Sequence, residues 1–241
     1  MTTVITSIGS KSTTGDPVNG QMTMTGSSGS GTPWTGNLSV SSAATANVGD
    51  MLFFDNAYYG CGGFGGGCSG PADIIYLITA IVDSTTLTIK YISGAASIDP
   101  ITLKANSMGS SNAQPYVLRY YSTISAWEGQ LDESDLYSSG DTAQGEMYKD
   151  SDFEMSSGVT INGGGTIGLD HRTLTVAVGQ RHTGVANTGA RILFTGTGQA
   201  NTVLAMDSSV GSTSEGNQIE WLEVDCNDKK ISAGIRVYEY S

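Results

Sequence analysis

Residues 159–194, VTINGGGTIGLDHRTLTVAVGQRHTGVANTGARILF, carry the pattern that decides the fold class. Apolar residues occur in short clusters, such as Leu174, Val176 and Val178, in which they alternate with other residues. Gly, Asn and Thr separate each cluster from the next. Alternation with a period of two predicts half-buried β-strands, and the residues between the clusters favour turns. The clusters continue to Val237 without a strict repeat, which favours a parallel β-solenoid with coils of about 20 residues.

The composition of the whole chain also favours strands over helices. Of 241 residues, 33 are Gly and 57 are Ser or Thr, whereas only 14% are charged. Such a chain does not resemble a helix bundle, and its strand-length apolar clusters argue against disorder. We therefore expect an all-β protein.

The net charge limits the partners. The chain carries a formal charge of -12 at pH 7 and has a pI near 4.3, whereas nucleic acids and anionic membranes attract cationic surfaces. No run approaches the roughly 20 apolar residues of a membrane span, and the first ten residues lack the features of a signal peptide. We expect no nucleic-acid partner and no membrane insertion. The protein is expected either to stay where it is made or to leave by lysis or assembly.

Acidic residues concentrate in residues 122–155, which contain nine acids and one base. Within this segment Ser122 is a candidate N-cap, and Ile124, Trp127 and Leu131 follow at spacings of three and seven. This spacing predicts a short amphipathic helix that presents Trp127 to a core. The acids on its other side are expected to be solvated charge, in preference to a catalytic carboxylate pair or a calcium site.

The first half of the chain predicts a separate β module. Alternating residues and the strand-like runs 74–82 and 87–89 are separated by turn residues such as 83–85. Short strands at this spacing predict a small barrel or sandwich.

Four motifs of this module resemble small β-barrel modules of phage tail and head-fibre proteins. They are TG at 35–36, VGD at 48–50, YLITAIVDSTTLTI at 76–89 and YVLR at 116–119. The resemblance extends over about 100 residues. The long loop 60–70 and the polar stretch 93–113 depart from the family pattern.

A second set of motifs resembles the N-terminal segment of right-handed β-helix proteins common in phage and marine viral sequences. The motifs are YSTISAWE at 121–128, GEMYKDSDF at 145–153, ING at 161–163, LTV at 174–176 and GQRHTG at 179–184. In such proteins SIGS often stands just before YST, and here SIGS at 7–10 is separated from it by the barrel module. The resemblance implies a lead strand of the β-helix cap at 1–17, an inserted barrel at 18–120, and a capping helix with β-helix coils at 121–241.

The glycine-rich loop 60–70 is the leading candidate for a contact surface. It lacks the Lys-Ser/Thr of a phosphate-binding loop, so we expect no nucleotide or other cofactor. The aromatic residues within and just before the loop are candidate anchors on a partner or receptor: Tyr58, Tyr59 and Phe64. Cys61 and Cys68 bracket the loop, either as a disulfide or as two free thiols.

The three tryptophans divide by context. Trp127 and Trp221 stand in apolar positions and are predicted to be core residues, whereas Trp34 is either a plug of the barrel or an exposed contact. The third cysteine, Cys226, is expected to be a buried thiol. The cysteine spacing does not fit a zinc site, and the chain has no GxSxG motif of a catalytic triad, so we expect no metal and no catalytic residue. The two histidines, His171 and His182, are expected to be surface residues in turns.

These features together predict a structural and adhesive protein of a phage virion: a tail fibre, a spike or a capsid-surface appendage. Such a protein would be assembled in the host cytoplasm and released by lysis. Its expected partners are other virion proteins, further copies of itself in a homo-oligomer such as a trimer, and a host surface glycan. A polysaccharide hydrolase or lyase of the tailspike type and a subunit of an extracellular filament stay open as alternatives. The strand pattern runs to Tyr240 without a polar cap, so we expect a longer natural chain or a partner at that end.

Overall fold

The computed structural model describes residues 2–31, 33–43, 45–59, 69–93, 100, 114–196, 202–207, 217–228 and 233–238. Strands dominate, and the chain is an all-β protein as the sequence predicted. It divides into two compact units: Met1–Ser10 with Tyr121–Ser241, here called the parallel unit, and Lys11–Tyr120, called the antiparallel unit. Residues 11–17, which the sequence grouped with the lead strand, belong to the antiparallel unit.

The antiparallel unit is built on a seven-stranded sheet. Its strands are β4 (Asn19–Gln21), β5 (Met24–Ser30), β6 (Thr35–Val40), β7 (Met51–Tyr59), β8 (Ser69–Asp83), β9 (Thr86–Ser93) and β10 (Tyr116–Leu118), and a small hairpin, β2 (Ser12–Thr13) and β3 (Asp16–Pro17), precedes them. The sheet order is β4-β10-β7-β8-β9-β6-β5, and every neighbouring pair is antiparallel. Asp83 shapes the turn from β8 to β9 by accepting a hydrogen bond from the Thr85 N–H at 2.7 Å.

An aromatic cluster lies in the core of the antiparallel unit. The Tyr76 ring makes edge-to-face contacts with Trp34, Phe54 and Tyr91, with ring centroids 6.1, 5.8 and 5.8 Å apart. Such contacts add to the hydrophobic gain of burying the rings. The interpretation of Trp34 as a contact residue is wrong, because only 5% of it is exposed and its ring packs in this core.

One ion pair is buried in the antiparallel unit. The Arg119 guanidinium donates to both carboxylate oxygens of Asp50, at 2.9 and 3.2 Å, and Asp50 also accepts from the Asn47 N–H at 2.9 Å. Gly49 supplies the turn before Asp50, with a φ of 91°. The VGD and YVLR motifs therefore meet in space, at a paired charge withdrawn from water.

The described residues of the parallel unit form three parallel sheets. Its strands are β1 (Thr3–Ile8), β11 (Thr142–Met147), β12 (Phe153–Met155), β13 (Val159–Ile161), β14 (His171–Val176), β15 (Arg191–Phe194), β16 (Thr202–Asp207), β17 (Gln218–Ile219), β18 (Glu223–Asp225) and β19 (Ala233–Tyr238). The sheet orders are β1-β11-β14-β17, β12-β15-β18 and β13-β16-β19. From β11 onward the chain visits the three sheets in turn, three times. We call these passes the first coil (β11–β13), the second coil (β14–β16) and the third coil (β17–β19).

The chain leaves and re-enters the parallel unit at neighbouring points. β1 pairs with β11 in register, from Thr3 with Thr142 to Ile8 with Met147. The Gly9 N–H donates to the Tyr121 carbonyl at 2.9 Å, and the Tyr121 N–H donates to the Ser7 carbonyl at 3.0 Å. These bonds join the two segments that flank the antiparallel unit in sequence.

A short helix, α1 (Ile124–Glu128), contributes side chains to the core of the parallel unit. It begins after Thr123 rather than Ser122, and the Thr123 hydroxyl accepts from the Ala126 N–H at 3.0 Å. Trp127, Ile124 and Leu131, which the sequence placed in a core, are buried. Within the described part of the chain, no helix has the length and apolar character needed to cross a membrane.

A glycine makes room for the Trp127 ring. A Cβ atom on Gly145 would lie 2.7 Å from Trp127 Cε2 and 2.9 Å from Ile8 Cδ1. The helix α1 and the strands β1 and β11 therefore meet at a position that only Gly fits. Tyr137 is buried in the same unit, and burial raises the pKa of its phenol to about 12. Its neighbours Thr6, Trp127 and Tyr121 offset part of this rise.

Candidate functional site

Residues 60–68 of the predicted contact loop lie outside the described residues. This applies to Cys61, Phe64 and Cys68, and to the side chains of Tyr58 and Tyr59 at the end of β7. The aromatic contact and the alternative states of the two cysteines therefore stay predictions. Cys226 is a free thiol that is only partly buried, and burial raises its pKa.

The prediction of a buried Trp221 is wrong, because 54% of the residue is exposed. Trp221 stands at the bend between β17 and β18 with a φ of 63°, a backbone conformation that few non-glycine residues adopt. This bend interrupts the strand alternation and turns the ring outward. The Arg181 guanidinium lies over the ring, 4.8 Å from its centroid, in a cation–π contact.

A histidine and a carboxylate stand beside this ring. The backbone N–H of His182 donates to the Trp221 carbonyl at 3.2 Å. The imidazole Nε2 of His182 lies 3.7 Å from Glu223 Oε2. The same Glu223 oxygen accepts from the Asn187 N–H at 2.9 Å, and Asn187 also has a positive φ, of 64°. Arg181, His182, Trp221 and Glu223 form what we call the Trp221 corner, a partly exposed group of one aromatic ring, two basic side chains and one acid.

Next to the Trp221 corner, an ionic chain connects three coils. Arg191, at the start of β15, donates its Nε to Asp152 Oδ1 at 3.1 Å and its Nη1 to Asp225 Oδ2 at 3.2 Å, and its Nη2 also bonds Asp152. Asp152 belongs to the first coil, Arg191 to the second and Asp225 to the third. The hydrogen bonds from Arg191 and its charge hold the pKa of Asp152 below the usual range.

Two acids that the sequence assigned to solvated charge instead accept backbone hydrogen bonds. The Glu128 carboxylate accepts from the N–H groups of Gly163 at 3.0 Å and Asn162 at 3.4 Å. The Asp132 carboxylate accepts from Thr166 and Ile167, at 2.8 and 3.1 Å. The partners are 34 or 35 residues away in sequence, so local spacing carries no signal for these contacts.

The second histidine lies in a strand rather than a turn. His171 begins β14, and its Nε2 lies 3.6 Å from Asp170. The adjacent Arg172 is buried and donates to the Asp207 carbonyl at 3.1 Å; desolvation lowers the pKa of this guanidinium. Among the described residues, no group of three or more His, Cys, Asp or Glu side chains is placed to hold a metal ion.

Comparison with known proteins adds no relative: no family model, curated protein or solved structure matches this chain.

Proposed function

We propose that the parallel unit is the first part of a right-handed parallel β-helix with α1 as its capping helix. The order of its three parallel sheets supports this architecture, because each strand from β11 to β16 pairs with the corresponding strand of the next coil. The antiparallel unit is then a small barrel-type module carried by the loop between β1 and α1. The joined backbone at Gly9 and Tyr121 supports this insertion.

The function we propose is structural: this chain is a component of a phage virion, such as a tail fibre, a spike or a capsid-surface appendage. The observation that carries the structural part of the proposal is the ionic chain of Asp152, Arg191 and Asp225. In a polysaccharide-cleaving β-helix, two carboxylates must be available to the substrate as acid and base or nucleophile. Here the carboxylates of Asp152 on the first coil and Asp225 on the third coil both bind Arg191 of the second coil, so these two acids are engaged in an ion pair. The virion assignment rests on the two motif resemblances.

The Trp221 corner supports an adhesive function. An exposed indole offers a flat apolar face, and the neighbouring basic and acidic groups offer hydrogen bonds, a combination suited to the ring and the hydroxyls of a sugar. The positive φ at Trp221 holds the ring at a bend rather than in a strand. We assign a host surface glycan as the ligand of this corner.

Location in the particle is tested by electron microscopy. Antibodies raised against the purified chain should label tails, fibres or the capsid surface of virus particles isolated from a lysate. Label on non-viral filaments, or protein found only in the particle-free fraction, would contradict the virion assignment. Light scattering should give a mass well above 25.0 kDa if the chain self-associates in the manner of fibre modules, which are usually trimeric.

Adhesion and cleavage are separated by a polysaccharide assay. Immobilised host polysaccharides should retain the unmodified chain and should bind Trp221→Ala about tenfold more weakly. The matched variant Val178→Ala, which truncates another exposed apolar side chain, should be retained like the unmodified chain. No new reducing ends should form. Turnover that is abolished by Asp225→Asn or Glu223→Gln would replace the structural proposal with a depolymerase.

A further inference from the structure

A groove of about 360 Å³ lies beside β12 in the parallel unit. One side is formed by residues 151–159, which include the whole of β12, and the other by Ser10 and residues 122–125. Ser10 follows β1. In its sheet β11 lies between β1 and β14, so β1 is on the side of the first coil opposite the second coil. The groove therefore lies on the side of the first coil that faces away from the second.

The backbone of β12 presents hydrogen-bonding groups to this side. β12 stands at the end of its sheet, next to β15. Met155 pairs with Phe194, and the Met155 carbonyl accepts from the Thr195 N–H at 2.8 Å. Because alternate residues of a strand bond to the same neighbour, the N–H and C=O groups of Glu154 point the other way, toward the groove.

The sheet β13-β16-β19 also ends in a strand of the first coil, β13, and there the helix α1 packs against that strand. The Glu128 carboxylate accepts the N–H groups of Asn162 and Gly163. Exposed strand edges are templates for pairing with another chain, and proteins usually block them. Beside β12 the corresponding position is the open groove of about 360 Å³.

The lining of the groove defines the chemistry of its occupant. β12 is three residues long, so it matches an extended segment of about 10 Å at roughly 3.3 Å per residue. Among the described lining residues the charged side chains are Asp152 and Glu154, both exposed carboxylates, and none is Lys, Arg or His. Asp152 already bonds Arg191 in the ionic chain, so Glu154 is the carboxylate that is available to a basic partner. Serine hydroxyls surround the two carboxylates, including Ser122, Ser125 and Ser156. This lining complements a basic segment with backbone groups free to pair.

We propose that the groove binds an extended basic peptide segment of a partner protein, which adds to β12 as a further strand. The segment bonds the N–H and C=O of Glu154 through its own backbone, and a Lys or Arg side chain lies against the Glu154 carboxylate. This docking site is separate from the glycan contact proposed for the Trp221 corner and does not depend on it.

Peptide binding to the full chain tests the proposal. The probe is the fluorescent peptide acetyl-Thr-Lys-Val-Lys-Thr-amide, followed by anisotropy, with acetyl-Thr-Glu-Val-Glu-Thr-amide as its matched acidic control. We expect saturable binding of the basic peptide and binding about tenfold or more weaker for the acidic one. Equal binding of the two peptides, or no binding of either, overturns the proposal.

Two variants at one position separate the backbone contact from the charge. Glu154→Pro removes the N–H that faces the groove and should weaken binding about tenfold or more, whereas Glu154→Gln keeps the N–H and should weaken it only a few-fold. Amide exchange in the unmodified chain gives a check that needs no variant, because the bound peptide should slow exchange of the Glu154 amide. Unchanged exchange, unweakened binding to Glu154→Pro, or displacement of the peptide by a neutral oligosaccharide would overturn strand addition.

Discussion

The two units of this chain place their paired charges in opposite environments. In the antiparallel unit Asp50 and Arg119 form an ion pair that is almost fully buried, with 0% and 4% of the side chains exposed. In the parallel unit Arg191 pairs with Asp152 and Asp225 at the surface, where 37% of each carboxylate side chain is exposed. Removing one partner of a buried pair leaves an uncompensated charge in the interior and is strongly destabilising, whereas an exposed pair contributes little by itself.

This difference follows from how each unit fixes its strand register. Most strands of the antiparallel sheet neighbour a strand that is close in sequence, and turns such as the one at Asp83 set their register. Parallel strands need long connections, so the coils of the other unit depend on contacts between side chains of successive coils. The ionic chain through Arg191 is a contact of this kind, and the bonds that Glu128 and Asp132 accept from backbone N–H groups fix the α1 segment against the residues that follow β13.

The largest expected losses come from the two buried anchors, one in each unit. In the parallel unit, Trp127→Ala removes the ring between α1 and Gly145 and should cost about 3 to 5 kcal/mol of unfolding free energy. Urea denaturation followed by amide exchange in β11 and β14 measures the loss. The matched control is Trp221→Ala, an exposed indole in the same unit, which should change stability by less than about 1 kcal/mol. Equal losses for the two tryptophans would mean that Trp127 does not anchor the helix.

In the antiparallel unit, Asp50→Asn leaves the Arg119 guanidinium buried without its counter-charge. The expected loss is about 3 to 5 kcal/mol, because an unpaired buried charge carries its full desolvation cost. Amide exchange of β8 and β9 reports the unfolding of this unit. The control Asp83→Asn neutralises an exposed turn acid of the same sheet and should have a far smaller effect. If the two substitutions have equal effects, the buried pair does not stabilise this unit.

How far the sequence predicts this structure depends on the range of the contact. Local periodicity was sufficient for the strand runs 74–82 and 87–89, which lie in β8 and β9, and for the burial of Trp127. The pair of Asp50 and Arg119 joins positions 69 residues apart, and nothing in the local spacing of the two motifs that contain them indicates the contact. Trp221 stands in an apolar run that is typical of a core residue, but a single positive φ reverses its direction. Contacts between distant strands and single unusual dihedrals leave no periodic signal.

An intermediate effect is expected where a carboxylate accepts the backbone N–H groups that directly follow the edge strand β13. Glu128→Ala removes the acceptor of the Gly163 and Asn162 N–H groups and should cost about 1 to 2 kcal/mol, since hydrogen bonds to charged groups are stronger than neutral ones. The midpoint of urea unfolding of the parallel unit measures it. Glu133→Ala is the matched control in the same acidic segment, and we expect a change of less than about 0.5 kcal/mol. A similar shift for the two variants would assign the effect to net charge instead of the edge contact.

The smallest expected effect concerns the exposed ionic chain, and it depends on pH. The pKa of Asp152 is lowered from its ordinary value of 3.8 by Arg191, so its ionised form favours the folded state. This contribution is present above pH 3.8, the value for the unfolded chain, and is lost as the pH falls through the lower pKa of the folded state. Asp152→Asn should therefore unfold at lower urea than the unmodified chain near neutral pH, and the two midpoints should converge in acid.

A double-mutant cycle identifies the partner responsible for this difference. In the Arg191→Met background the guanidinium is gone, so Asp152→Asn should no longer shift the unfolding midpoint at neutral pH. The same shift in both backgrounds would mean that Asp152 acts through some other group and that the ionic chain does not couple the coils. Added salt should also reduce the shift, because exposed pairs are screened, whereas the effect of Asp50→Asn in the antiparallel unit should change little with salt. The opposite salt dependence would contradict the distinction between a surface pair in one unit and a buried pair in the other.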